Sequence, residues 1–283
     1  MSLTSVSPSL VRLAVGGWSL FIAENVLLSH NRTFVIELLD NQEEHYHYVY
    51  GTCSTVATLL IAYGYKSVRN QAPFFPSAGT PTRRALALGL QAAGLVGLSQ
   101  MAPKLQVPVA LAPPSPSPAS PSSPSSPAPA PAPANPVWQV RCPFDFTPSK
   151  DDSVQGMARI SRHSSLWSFA SLSLGSAFAA ASIPQALCLS GPLAVALIGG
   201  AHQDYRFRRG VGGNLPPDLD KQTSNVPFAA MLLGNQKEGV LGSFVGLADE
   251  IKWLNAGVAA TVALGLAARR ARLPPIARKA AFS

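Results

Sequence analysis

Six long stretches of this chain carry almost no charge, and the charged residues crowd between them. They run from about Val11 to Leu28, Tyr48 to Tyr65, Ala85 to Met101, Ser165 to Ile183, Gln185 to Ala201 and Ile251 to Ala268. Each is roughly 17 to 20 residues, the length a helix needs to cross about 30 Å of hydrocarbon. In lipid the backbone must satisfy its own hydrogen bonds, which makes the helix the natural spanning form. Within these stretches Glu24 with Asn25 interrupts the first, and Lys252 stands near the start of the sixth, where its stem can snorkel. Only 13% of the 283 residues are charged, against about 25% in a soluble domain. The expected class is an all-α, polytopic membrane protein with about six transmembrane helices. A buried helical bundle in a soluble protein is the alternative, and it accommodates so many charge-poor runs less readily.

Charge orients the expected spans. If all six cross, both termini and two loops share one side. That side holds ten cations, namely Arg12, Lys66, Arg69, Arg83, Arg84, Arg269, Arg270, Arg272, Arg278 and Lys279, and no acid. The other side holds the remaining 12 cations and 13 of the 14 acids, Glu24 lying inside a span. The positive-inside rule then places both termini in the matrix, stroma or cytoplasm. The net charge of +8 reads as an orientation signal and gives no nucleic-acid footprint.

Between the third and fourth spans lies a Pro/Ser/Ala-rich insert, Pro103 to Pro136. Such a sequence cannot bury a core and is expected to be extended polyproline II or disordered. The chain therefore divides into a three-helix membrane half at 1–102, the insert at 103–137, and a second three-helix half at 138–283. The insert is either a flexible linker or an arm lying on a neighbouring protein.

Few residues point to chemistry. Glu24 is a functional candidate because it is ionisable inside a span; the alternative is a paired or protonated structural group. His30, His163 and His202 fall at span ends on the side of the long loops, where imidazoles can ligate haem iron or simply hydrogen-bond. His45 and His47 flank Tyr46 at the start of the second span and make a weak metal site. Cys53, Cys142 and Cys188 are too dispersed for a disulfide framework or a metal-ligand spacing. The sequon Asn31-Arg32-Thr33 sits at the membrane edge and is discounted. About ten residues precede the first span, without the Arg-rich amphipathic look of a transit peptide. The fourth span carries Ser171, Gly175 and Ala179 at i, i+4 and i+8, with Ser164, Ser168 and Ser176 beside them, a pattern that lets membrane helices approach closely.

Several blocks in order resemble the NnrU-like membrane family, which includes the plastid zeta-carotene isomerase. An apolar helix ends at His30. Gly156-Met157-Ala158-Arg159-Ile160-Ser161-Arg162-His163 is similar to that family's Gly-x-x-Arg-Val-Thr-Arg-His-Pro block, with Ser164 in place of the proline. Asp204-Tyr205-Arg206 follows a helical hairpin, and Thr223 to Ala230 with Gln236 resembles a segment of the eukaryotic branch. The resemblance implies a helical membrane fold and, in the isomerase, haem b and redox-gated isomerisation of a polyene. It makes His30 one haem ligand. The second falls in a Cys-x-x-His stretch that here reads Ser173-Leu174-Gly175-Ser176, and a serine hydroxyl is a poor iron ligand beside imidazole or thiolate. The bis-liganded site is therefore expected to be lost unless His163 or His202 substitutes.

These readings favour a non-catalytic accessory subunit of a large organellar inner-membrane complex, most naturally of the mitochondrial respiratory chain, with a plastid membrane as the alternative. Its partners would be other membrane subunits, with the insert lying over one of them, and structural lipids; no cofactor is expected. The competing class is a haem-dependent isomerase or redox enzyme. A transporter is a third class, for which only Glu24 approaches the charged midplane expected.

Overall fold

The computed structural model describes residues 8–69, 80–105, 109–112, 137–140, 144–145, 154–180 and 182–272. The chain forms two units, one of residues 1–102 with 151–283 and one of Pro103–Lys150.

The first unit is helical. Its long helices are α1 (Pro8–His30), α3 (Glu43–Val68), α4 (Pro81–Met101), α6 (Ser164–Phe178) and α12 (Trp253–Arg272). A sixth rod begins as α7 (Ile183–Ala194), passes through a π-helical turn at Val195–Gly199 and ends as α8 (Gly200–Arg208). Shorter pieces are α2 (Arg32–Leu38), α5 (Met157–Ile160), α9 (Pro217–Gln222), α10 (Ala229–Leu232) and α11 (Gly239–Glu250).

By length and composition two described helices are apolar enough to cross a membrane, Pro8–His30 and Ile183–Arg208. A third arises if α11 and the following helix to Ala268, bent by 81° at a short break, count as one span. The chain is thus mostly helical with two or three candidate spans, fewer than the six expected. The reasons are local. Within the fourth expected run, Ser165 to Ile183, α6 ends at Phe178 and a new helix starts at Ile183, where Ser182 accepts the Gln185 N–H as an N-cap and Pro184 sits in the first turn. That leaves α6 at 15 residues, about 22 Å of rise and short of the hydrocarbon thickness. In α3 and α4, Tyr, Thr, Ser, Gln and Gly dilute the apolar residues.

The helices pack in the order α3, α1, α7, α6, α4, α12. The two sequence halves interleave: α1 lies on α7, and α4 lies between α6 and α12. Side-chain bonds set the directions. Tyr46 of α3 donates to the Leu28 carbonyl of α1 at 3.2 Å, and Ser54 donates to Glu24 at 2.8 Å, so α1 and α3 are antiparallel. Ser171 donates to the Leu90 carbonyl at 2.9 Å and Arg83 to the Ala180 carbonyl at 3.1 Å, so α4 and α6 are antiparallel. Asn255 at the start of α12 donates to the Ser99 carbonyl near the end of α4 at 3.1 Å. The ends of α1, α4 and α8 therefore gather with the starts of α3, α6 and α12. The opposite end holds Arg12, Lys66, Arg69, Arg83 and Arg84, and no acid among the described residues.

The contact of α4 with α6 explains the small residues. Gly94 is buried, and a Cβ there would sit 2.4 Å from the Leu172 nitrogen. Ser168, Ser171 and Gly175 of α6 meet α4. Ala14, Val68 and Cys188 form a small core where α1, α3 and α7 meet, with Leu10 and Tyr65 against it.

The second unit holds two antiparallel ladders. β1 (Lys104–Leu105) pairs with β4 (Phe144–Asp145), and β2 (Val109–Ala112) pairs with β3 (Val137–Val140) in the register Val109 to Val140. Val109–Ala112 contains no proline, so its backbone can supply ladder donors, and this part of the expected insert is paired strand. Residues 113–136, the centre of the Pro-rich segment, lie outside the described residues.

Candidate functional site

The arginine-histidine block is the centre of a buried ionic cluster. Gly156 starts it with φ of 53° and donates its N–H to Glu250 Oε2. The Arg159 side chain is 7% exposed. Its Nε and one terminal nitrogen grip Glu250 in a fork at 2.9 and 2.8 Å. The other terminal nitrogen reaches Glu238 at 3.3 Å and Gln236 at 3.4 Å. Gln236 returns a bond of 2.9 Å to the Arg159 carbonyl. The hydrogen bond to Glu250 leads in holding the Arg159 guanidinium above its ordinary pKa, against the burial that opposes it.

Arg162 donates to Asp220 at 2.6 Å and lies 3.4 Å from Asp204, and it caps the backbone carbonyls of Asp220, at 2.9 Å, and Thr223. His163 Nε2 meets Asp204 Oδ1 at 2.7 Å. Asp204 is thus shared by neighbours on one turn, Arg162 and His163. Asp220 is shared by Arg162 and Arg208, the latter at 2.6 and 2.8 Å. Hydrogen bonding by Arg208, then by Arg162, holds the Asp220 carboxyl down at about 2.

The segment from Thr223 to Phe228 lies on the same block. Ser161 is fully buried and donates to the Asn225 carbonyl at 2.6 Å. The Arg162 N–H donates to the Ser224 carbonyl at 3.1 Å and the Phe228 N–H to the Ile160 carbonyl at 2.8 Å. Trp167 of α6 donates to Asn225 Oδ1 at 3.0 Å. The motif residues therefore fasten α5, α6, α8, α9 and the approach to α11 to one another.

The candidate histidines separate into two environments. His163 is partly buried against Asp204. His30 is exposed, stacked on Tyr205 with ring centroids 6.1 Å apart and planes 12° from parallel. His202 stands 6.1 Å from His30 with the planes tilted by 42°, and its Nε2 meets Ser29 Oγ at 2.8 Å. His47 packs edge-on against Tyr46, and His45 is exposed. Among the described residues no group of three or more His, Cys, Asp or Glu is placed to hold a metal ion. Ser173 and Ser176, at the positions of the resembled Cys-x-x-His, bond to helix backbone: Ser173 donates to the Leu189 carbonyl on α7, Ser176 to the Leu172 carbonyl at 3.0 Å. Gln91 of α4 donates to Ser176 at 3.2 Å.

Glu24 heads a separate cluster between α1 and α3. It is buried, and its Oε1 accepts from Ser54 at 2.8 Å and from Asn25 at 2.6 Å. Tyr50 in turn donates to Asn25 Oδ1.

Motif reading finds Arg159, Arg162, His163 and Asp204 but not their partners Asp220, Glu238 and Glu250, which lie 58 to 91 residues further on (for Asp220, Glu238 and Glu250 relative to the arginines). The available signal was the placement of nearly all acids on the same side as these arginines. Compared with known proteins, the chain matches no family model, no curated protein and no solved structure.

Proposed function

We propose that this chain is a non-catalytic accessory subunit of a large organellar inner-membrane complex, most naturally of the respiratory chain. The carrying observation is how the motif block is used. Arg159, Arg162 and His163 are each engaged by a buried or half-buried acid of the same chain, so the residue types that could act on a substrate instead join segments of the fold. Large apolar side chains on the outer helices α3 and α12 support contact with lipid and membrane neighbours, among them Leu59, Tyr63, Trp253 and Leu264. The cation-only end of the described helical unit supports an orientation with both termini in the matrix or stroma.

The competing reading is a haem-dependent isomerase or redox enzyme, favoured by the approach of His30 and His202. Two imidazoles each about 2 Å from one metal ion have centroids about 6 Å apart, close to the 6.1 Å seen. The arrangement does not fit a haem as it stands. The His202 nitrogen is engaged by Ser29, and Tyr205 stacks on the ring of His30.

Visible absorption of the purified protein separates the readings. The accessory-subunit reading expects no stoichiometric Soret band and comigration with a stable high-mass complex. A Soret band that disappears in His30→Ala would overturn it. Deleting Pro113 to Pro133 tests the arm: impaired incorporation into the complex is expected, and unchanged incorporation would make the segment a passive linker.

A further inference from the structure

Glu24 lies inside α1, one of the helices long and apolar enough to cross a membrane, and the ionic cluster does not use it. Its residue is 8% exposed. Its two carboxyl oxygens are in unlike positions. Oε1 accepts from the Ser54 hydroxyl and the Asn25 amide. Oε2 is fully buried and, among the described residues, has no hydrogen-bond partner.

That asymmetry is informative. An ionised carboxylate spreads its charge over both oxygens and draws donors to both. A neutral acid has one accepting carbonyl oxygen and one oxygen that already carries hydrogen. The pattern around Glu24 is the second. Leaving a charged oxygen bare in an apolar helix interface is far more costly than leaving a neutral hydroxyl there.

Among the described residues no surrounding group forms an ion pair with Glu24. From α3, Tyr50 and Tyr46 face the cluster; Tyr50 reaches it through Asn25, and Tyr46 donates to the Leu28 carbonyl. From α8, Arg206 acts on the two tyrosines and on His202, and Arg32 of α2 lies over the Tyr46 ring at 5.4 Å. His202 bonds to Ser29, one turn beyond Asn25, and from α7 Cys188 meets α1 at Trp18. Arg32 is thus engaged with the Tyr46 ring, and neither cation forms an ion pair with Glu24 among the described residues.

We propose that Glu24 is a membrane-embedded proton-binding site: a carboxylic acid with its hydrogen on Oε2 and its carbonyl oxygen fixed by Ser54 and Asn25. The chain then carries one proton between α1 and α3 at neutral pH without a partner cation. The bond from Ser54 selects which oxygen keeps the hydrogen.

A lipid-soluble carbodiimide, dicyclohexylcarbodiimide, tests this in membranes containing the full chain. The reagent needs a protonated carboxyl. The acid hydrogen passes to one carbodiimide nitrogen while the carboxyl oxygen bonds the central carbon, and an acyl shift from oxygen to nitrogen leaves a stable N-acylurea. Peptide mapping at neutral pH is expected to find the adduct on Glu24. A water-soluble carbodiimide should leave Glu24 unmodified. No adduct on Glu24 with the lipid-soluble reagent, or equal labelling by the water-soluble one, would overturn the proposal. Infrared spectra give an independent reading. The wild-type protein should show a protonated-carboxyl carbonyl band that Glu24→Gln lacks, and identical spectra in that region would also overturn it.

Discussion

Arg159 and Asp220 show opposite ends of the same chemistry. Arg159 is a buried cation whose planar fork matches Glu250 at two points, so geometry and charge are matched together. Removing one partner of a buried pair leaves an uncompensated charge, which costs about 3–5 kcal/mol. Arg159→Ala is therefore expected to lower stability by about that amount, read as thermal or denaturant unfolding in detergent. Arg159→Lys, which keeps charge but loses the fork, should recover only part of it. Asp220 is more exposed and titrates. Its carboxyl, ordinarily near 3.8, is held at about 2 in the folded chain. The folded state then binds fewer protons than the unfolded state, so stability rises with pH across this interval. The contribution is complete above about 3.8 and is lost as pH falls toward about 2. A pH series of unfolding midpoints checks this, and in Asp220→Asn that component of the slope should vanish.

At the scale of the element, the rod from α7 to α8 carries a proline defect repaired from another helix. Pro192 has no N–H to give the Cys188 carbonyl, which would otherwise lose its helical donor. Trp18 of α1 supplies one, at 2.7 Å. Gly191 makes room, since a Cβ there would lie 2.2 Å from the indole. A π-helical turn follows at Val195–Gly199, a single-turn bulge within the rod. The contact of α4 with α6 gives a controlled test. Gly94 faces the backbone of Leu172, whereas Gly89 on the same helix has open space beside it. Gly94→Leu is expected to force the helices apart and reduce recovery of folded protein, while Gly89→Leu should be tolerated. Size-exclusion profiles of the two variants in mild detergent make the comparison.

For the whole molecule, the interleaving of the two halves matters most. α1 packs on α7 and α4 on both α6 and α12, so contacts that hold the helical unit cross the Pro-rich segment. A chain cut within residues 113–136 and expressed as two pieces should therefore copurify as one complex. Recovery of two separate, stable halves would contradict the packing. The ionic cluster, by contrast, lies wholly within the second half of the chain, where acids of α8, α9 and α11 meet α5 and the turn before α6.

The sequence alone determined the helical class and the location of each long rod, because apolar runs of spanning length and their charged flanks are local properties. It also marked Arg159, Arg162, His163, His30 and His202 through pattern and resemblance. What it could not determine was termination and pairing. The new helix start after Phe178 is capped by Ser182 accepting a backbone N–H, and where α7 passes Pro192 the freed Cys188 carbonyl is served by Trp18 of α1. Only the tertiary structure decided that the arginines of the motif face internal acids, that Ser173 and Ser176 bond to helix backbone, and that Oε2 of Glu24 is bare. Each of these rests on groups distant in sequence, and burial and hydrogen-bond partnership are properties of the folded neighbourhood.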